Sequence, residues 1–262
     1  MEFKEIVRWP GEVRKRFGEA VTNIVPNETV YTKALREGKL SHTEIQGNHF
    51  LIEEKDGFYN LHFAVSSDCD VIATAREFAQ KLGKPLVTEH IVREGKDRSL
   101  GTPQATLKRM VHAEELTATT SHKSVREGTY ADIPKLLEIF NREFDPLTER
   151  LPDADELRRL IDGHGIFIAD DIEVAAADGR ETGGFIAFER AGRALHLRYW
   201  WVDAPIRGKG VGSRLMDSYI EASKGTTRQF LWVFADNENA IKRYRHYGFE
   251  FDGTADEIYI TR

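Results

Sequence analysis

Arg207-Gly208-Lys209-Gly210-Val211-Gly212-Ser213 sets two cations among three glycines. That composition suits an anion. Missing Cβ atoms let a phosphate approach, and a helix opened by this stretch would aim free N–H groups and the positive end of its dipole at it. The flanking residues support such a helix start. Leu195–Val202 is dense in aromatic and aliphatic residues and reads as a strand, which Asp203-Ala204-Pro205 closes. Beyond the glycines, Val211, Leu215, Met216, Tyr219 and Ile220 recur on one helical stripe. The glycine pattern is neither G-x-x-x-x-G-K-[ST] nor a dinucleotide fingerprint. An ordinary tight turn with solvated Arg207 and Lys209 is the alternative at this point.

A second segment runs from Asn237 to Phe249. Asn237 suits an N-cap and Gly248 a left-handed stop, so a short helix is expected between them. Together the two stretches carry R-x-x-G-x-G after V-D-A-P, and N-x-x-A-x-x-x-Y-x-x-x-G-F. In that order they resemble the GCN5-related N-acetyltransferase (GNAT) superfamily, over about residues 123–262. The resemblance implies an α+β (mixed α/β) fold, a central mixed sheet flanked by helices. It implies that Arg207, Gly208, Lys209, Gly210, Val211, Gly212 and Ser213 hold the pyrophosphate of acetyl-CoA, with Asn237 also at the co-substrate. Trp201 and Val202 would offer an open strand edge to the pantetheine, ligand binding by strand addition. The Val202 N–H would face the thioester oxygen.

The same resemblance implies N-acyl transfer to a primary amine by direct attack on the thioester, without a metal. Tyr244 then becomes the candidate catalytic acid, because a phenol near pKa 10 is protonated at neutral pH and can supply a departing thiolate. Read without the family register, Tyr244 is equally a core aromatic sharing a helix face with Ala240 and Tyr247. No single base is identifiable; His196, Glu189 and Glu250 qualify by type, and a water relay would need none. Trp200 and Trp201 suit either an acceptor pocket or the core. A non-catalytic acyl-CoA sensor or scaffold is the competing function, which would need the loop but not Tyr244.

Composition bounds the rest. At 262 residues, 40% hydrophobic and 31% charged, the chain suits one or two globular domains. The net charge of −6, with neither half basic, argues against nucleic acid as partner. No apolar run matches a membrane span or a signal core, and Cys69 is the sole cysteine, so a cytoplasmic location is expected. A homo-oligomer stays open. His42, His49, His62 and His90 show no metal-binding spacing.

The polar, threonine-rich stretch at 116–122 reads as a linker, which divides the chain into an α+β N-terminal domain, 1–120, and the acetyltransferase domain, 123–262. In the first, helices are expected over 12–21 and 30–36. A hairpin of 48–53 and 58–65 turns at Asp56-Gly57, followed by a helix over 70–82 and a strand over 85–92. The 102–115 stretch fits either a helix or a strand. A degenerate second copy of the same fold competes here with an unrelated substrate or dimerisation domain. In the second domain, helices are expected over 130–140, 153–162, from the glycine turn to 223, and over 237–247. Strands are expected over 124–126, 165–169, 174–177, 183–189, 195–202, 229–233, near 249 and over 258–260, with a loop at 178–182.

Overall fold

The computed structural model describes residues 1–113, 125–176 and 179–262. Their contacts divide the chain into unit 1, Met1–Leu107 with Gly253–Arg262, and unit 2, Lys108–Asp252. The expected boundary near 120 and the 116–122 linker lie outside the described residues.

Unit 1 begins with helices α1 (Phe3–Ile6) and α2 (Trp9–Phe17), a short strand β1 (Val21–Thr22) and helix α3 (Glu28–Arg36). Pro10 sits in the first turn of α2, where its missing N–H costs nothing, so this helix starts earlier than expected. Strands β2 (Leu40–Ile45), β3 (Asn48–Glu54) and β4 (Tyr59–Val65) then form an antiparallel meander. Helix α4 (Val71–Leu82) crosses to β5 (Leu86–Arg93), which pairs parallel with β4. Asp70 caps α4, and Gly83 ends it in the left-handed conformation. Phe50, Phe63, Val65, Val71, Ala75 and Phe78 form the core between sheet and α4. Strand β2 was not foreseen. Five of its six residues are exposed, so no hydrophobic alternation marks it.

Strands β6 (Ala105–His112) and β12 (Glu250–Thr261) each run through both units. Of the 102–115 stretch, 105–112 are a strand and 114–115 lie outside the described residues, while the two strands expected near 249 and over 258–260 are one. Its residues Thr254–Thr261 pair antiparallel with Leu86–Arg93, so the last ten residues of the chain pack with the first 107.

In unit 2, β7 (Val125–Glu127) leads through a 3-10 turn into α5 (Ile133–Glu143) and then α6 (Ala154–Asp162). Arg126 braces that entry, its guanidinium reaching Asp132 at 2.7 Å and Asp170 at 2.8 Å. Strands β8 (Ile166–Ala176), β9 (Gly179–Ala191) and β10 (Ala194–Val202) follow as an antiparallel meander. Then come α7 (Val211–Ala222), β11 (Arg228–Phe234) and α8 (Glu238–His246). Alternation along β9 buries both faces. Ile186 and Phe188 lie with Leu215, Met216 and Tyr219 of α7, while Phe185 and Ala187 lie with Leu136, Phe140 and Leu157 of α5 and α6. The result is a mixed sheet flanked by helices. Of the loop expected at 178–182, residue 178 lies outside the described residues, and 179–182 belong to β9.

Candidate functional site

The site follows from an interrupted strand pair. β10 and β11 run parallel and pair only over Ala194–Leu197 with Arg228–Leu231. On its other edge β10 stays paired to β9 as far as Val202 and Gly184, with a register shift between Leu197 and Tyr199. A bulge bends the strand carrying it and increases its twist. From Arg198 onward β10 therefore has a partner on one side only. The Asp203 N–H donates to the Gly183 carbonyl at 2.9 Å, toward β9. By strand alternation the amides of Val202 and Trp200 point to the other, open edge. Arg207 already meets that edge, its Nε donating to the Val202 carbonyl at 2.9 Å.

At the end of β10, Asp203 caps a single 3-10 turn, Ala204–Ile206, through its Oδ1 and the Ala204 N–H. Gly208 and Gly210 follow with φ of 82° and 77°, a conformation glycine adopts without strain. Gly210 is the N-cap of α7 and offers no side chain, so the first N–H groups of that helix have no capping acceptor. Gly212 has another reason to be glycine: a Cβ there would come within 3.2 Å of the Trp200 indole. The buried Trp200 Nε1 has no hydrogen-bond partner among the described residues. Arg214, which the sequence reading did not single out, donates from Nη1 to the Lys209 carbonyl at 3.4 Å. Donors, a glycine cradle open to solvent and nearby cations fit a diphosphate.

Helix α8 supplies the phenol. Asn237 Oδ1 accepts from the Ala240 N–H at 3.1 Å, so its side chain serves as the N-cap. Gly248 closes the helix with φ 81°, and a Cβ there would meet His112 at 2.7 Å. The Tyr244 ring lies 5.7 Å from Trp200 and 6.1 Å from Phe249. It also adjoins the core below α7. Burial raises its pKa above that of an ordinary phenol, so it stays protonated across neutral pH. Tyr219 of α7 is fully buried, and its hydroxyl has no partner among the described residues. Burial first, and the nearby Tyr244 phenol second, raise its pKa as well. Tyr247 packs edge-on to Trp200 at 6.0 Å. The structure thus gathers Trp200, the glycine turn and Tyr244, while Trp201 turns to the opposite core with Phe140 and Phe185.

The base candidates separate. His196 stacks on Phe230 with ring centroids 4.4 Å apart, and burial, then Arg198, lower its pKa to about 3, which makes it a poor proton acceptor. Glu189 lies 3.7 Å from Arg198 and Glu250 3.8 Å from Arg245. A different carboxyl stands out: Glu149, between α5 and α6, has its pKa raised to about 7 by burial. Its Oε2 accepts from the Asp145 N–H at 3.2 Å, and the next residue's carbonyl accepts from the Tyr199 hydroxyl. No motif announces it; its environment is built by strand β10, which is distant in sequence. Among the described residues no group of acidic, histidine or cysteine side chains could hold a metal ion, and no helix is long and apolar enough to cross a membrane.

Comparison with known proteins finds relatives for part of the chain. Residues 133–249 match the model of the acetyltransferase (GNAT) family. An L-amino acid N-acetyltransferase of Escherichia coli K12 is 38% identical over 87 residues, covering 31% of this chain and 54% of that protein. The chain thus spans about half the length of the curated relative it matches. Two solved structures align over 98% of the chain at 11% identity, a likeness of fold. A GCN5-related N-acetyltransferase from Sphaerobacter thermophilus has a TM-score of 0.57 and is covered over 93%. A tandem GNAT protein from the clavulanic acid biosynthesis pathway has a TM-score of 0.56 and is covered over 94%.

Proposed function

We propose that this chain, whose residues 133–249 are a GNAT-family acetyltransferase domain, transfers an acyl group, acetyl first among them, from its CoA thioester to a primary amine. The observation that carries the reading is the open edge of β10 leading into the uncapped start of α7. A pantetheine arm is an extended diamide that can add to that edge as a strand does, with the pyrophosphate ending on the N–H groups after Gly210. The Val202 N–H is the donor for the thioester oxygen, where a fixed dipole stabilises charge that develops on attack. Tyr244 then protonates the departing thiolate. Glu149, whose pKa burial raises to about 7, is the first carboxyl to test as acceptor of the amine proton.

For the acceptor, the relative named as an L-amino acid N-acetyltransferase supports amino-acid amines as the class to screen first. Half-buried Phe230 and Trp232 on β11 offer that acceptor apolar surface. The test is an amine panel with acetyl-CoA, read by thiol release and by mass of the acylated product. Acylation of one amine class is expected. Tight acetyl-CoA binding with no turnover on any amine would instead support the acyl-CoA sensor.

A further inference from the structure

Unit 1 repeats the interrupted strand pair of unit 2. β4 and β5 run parallel and pair only over Tyr59–Leu61 with Leu86–Thr88, although both strands continue. The order of elements matches as well, an antiparallel meander followed by a helix and a parallel strand. Beyond Leu61 this second split is not open. β1 lies antiparallel on the edge of β4, Val21 opposite Val65 and Thr22 opposite Ala64. Asn23 then enters the fork itself. Its Nδ2 donates to the Leu61 carbonyl at 2.9 Å and to the Glu89 carbonyl at 2.8 Å, one on each diverging strand. Its Oδ1 accepts from the Phe63 N–H at 2.7 Å, and its own N–H donates to the Phe63 carbonyl at 3.3 Å. Thr22 Oγ1 adds a bond to that carbonyl at 2.7 Å.

The helix start differs in the same sense. Where α7 begins at a bare glycine, α4 begins at Asp70, whose Oδ1 already accepts the Ala73 N–H at 2.9 Å. The turn before it, Ser66-Ser67-Asp68-Cys69-Asp70, has two carboxylates, no glycine and no cation. A phosphate there would meet like charge and find its donor taken.

We infer that Val21–Asn23 is a built-in occupant of the unit 1 cleft, taking by strand addition the edge that acyl-CoA takes in unit 2, so that the chain binds one acyl-CoA and not two. The inference rests on the proposed function for the acyl-CoA half alone; the occupancy of the cleft stands on unit 1 by itself.

Hydrogen exchange and calorimetry on the full chain test the two halves separately. In the unaltered protein the Phe63 amide should exchange as slowly as core amides. Asn23→Ala should speed exchange at 61–65 and 88–91 by about tenfold or more, leaving 194–202 and 228–234 unchanged. It should also lower the melting temperature by about 5–10 °C, since three bonds of one half-buried amide are lost. Should that variant not fold, Thr22→Val removes only the two hydroxyl bonds, the one donated to the Phe63 carbonyl and the one accepted from the Ile24 N–H at 3.0 Å, and should give a smaller change in the same amides. Titration with CoA should saturate at one per chain, and Gly210→Asp should weaken that one site by about 100-fold or more. Two sites, or residual binding in Gly210→Asp that protects 59–65 and 86–93, overturns the single-site inference. Unchanged exchange at Phe63 in both Asn23→Ala and Thr22→Val overturns the occupant. Failure of the unaltered chain to bind CoA would refute the proposed function, and exchange would still decide the occupant.

Discussion

The two strand forks of this molecule share a topology and differ in what fills them. In unit 2 the fork after Leu197 keeps an open edge, and the helix beside it starts without a cap. In unit 1 the fork after Leu61 is bridged by one asparagine side chain, and the helix beside it is capped by an aspartate. Splitting a parallel pair strands backbone groups that must find partners. A ligand can supply them transiently, or the chain can supply them for good. The fork is therefore neutral as to function, and what decides is the local chemistry within a few residues of it.

The strongest way to break the comparison is to give unit 2 the features of unit 1. Gly210→Asp places a carboxylate and a Cβ at φ 77°, at the bare start of α7. Calorimetry should show CoA affinity falling by about 100-fold or more, a loss of binding donors joined to like-charge repulsion. Next in size is Tyr244→Phe, which keeps the ring against Trp200 and removes the hydroxyl. Its kcat should fall by roughly 10²-fold, as for loss of a general acid, with CoA affinity unchanged. Tyr247→Phe is the control and should keep its kcat. Wild-type turnover by Tyr244→Phe would assign the proton to solvent.

The converse change, Asp70→Ala, gives unit 1 a bare helix start. It should cost about 1 kcal/mol of stability, the usual value of an N-cap, without creating a CoA site. A second CoA equivalent in that variant would mean that the cap, and not Asn23, keeps unit 1 closed. The remaining effect is one of pH. Glu149 has a folded pKa near 7, above the ordinary carboxylate value of 4.5, so its burial penalty is absent below pH 4.5 and complete above 7. Glu149→Gln should therefore melt higher than wild type at pH 8, with the gap closing as pH falls from 7 to 4.5. His196 and Glu53 act on the acid side. His196, folded pKa about 3, loses stability for unit 2 from pH 6.5 downward. Burial alone would raise the pKa of Glu53, but His62 and Lys55 hold it near 2, so its contribution to unit 1 fades only from pH 4.5 downward. Burial lowers the pKa of His42, His49 and His90 in unit 1 as well, so acid should loosen exchange in both units from about pH 6.5 downward.

Much of unit 2 was legible because its signals are local. Asn237 and Gly248 bracket α8 within twelve residues, and the glycines after Arg207 mark the start of α7 before any packing is known. The hairpin of β3 and β4 was readable from Asp56-Gly57 between two apolar runs. What stayed hidden depends on partners far along the chain. β1 is two residues long, and nothing in Val-Thr-Asn says that an amide will bridge Leu61 and Glu89. Glu149 looks like any loop carboxyl until β10 is set beside it. Gly253, with φ 78°, interrupts the pattern of β12 enough to suggest two strands where there is one.

That last strand also sets a timetable. β5 receives Thr254–Thr261 as its antiparallel neighbour. During synthesis, residues 86–93 emerge long before the segment that completes their edge. At about 5–20 residues per second the interval is roughly ten to thirty seconds. Throughout it the nascent amino-terminal half carries a strand with one edge unpaired and half of its residues apolar, the kind of edge that recruits other chains. The first half of this protein is therefore the last to be finished, and whatever shields β5 on the ribosome governs the yield of the whole.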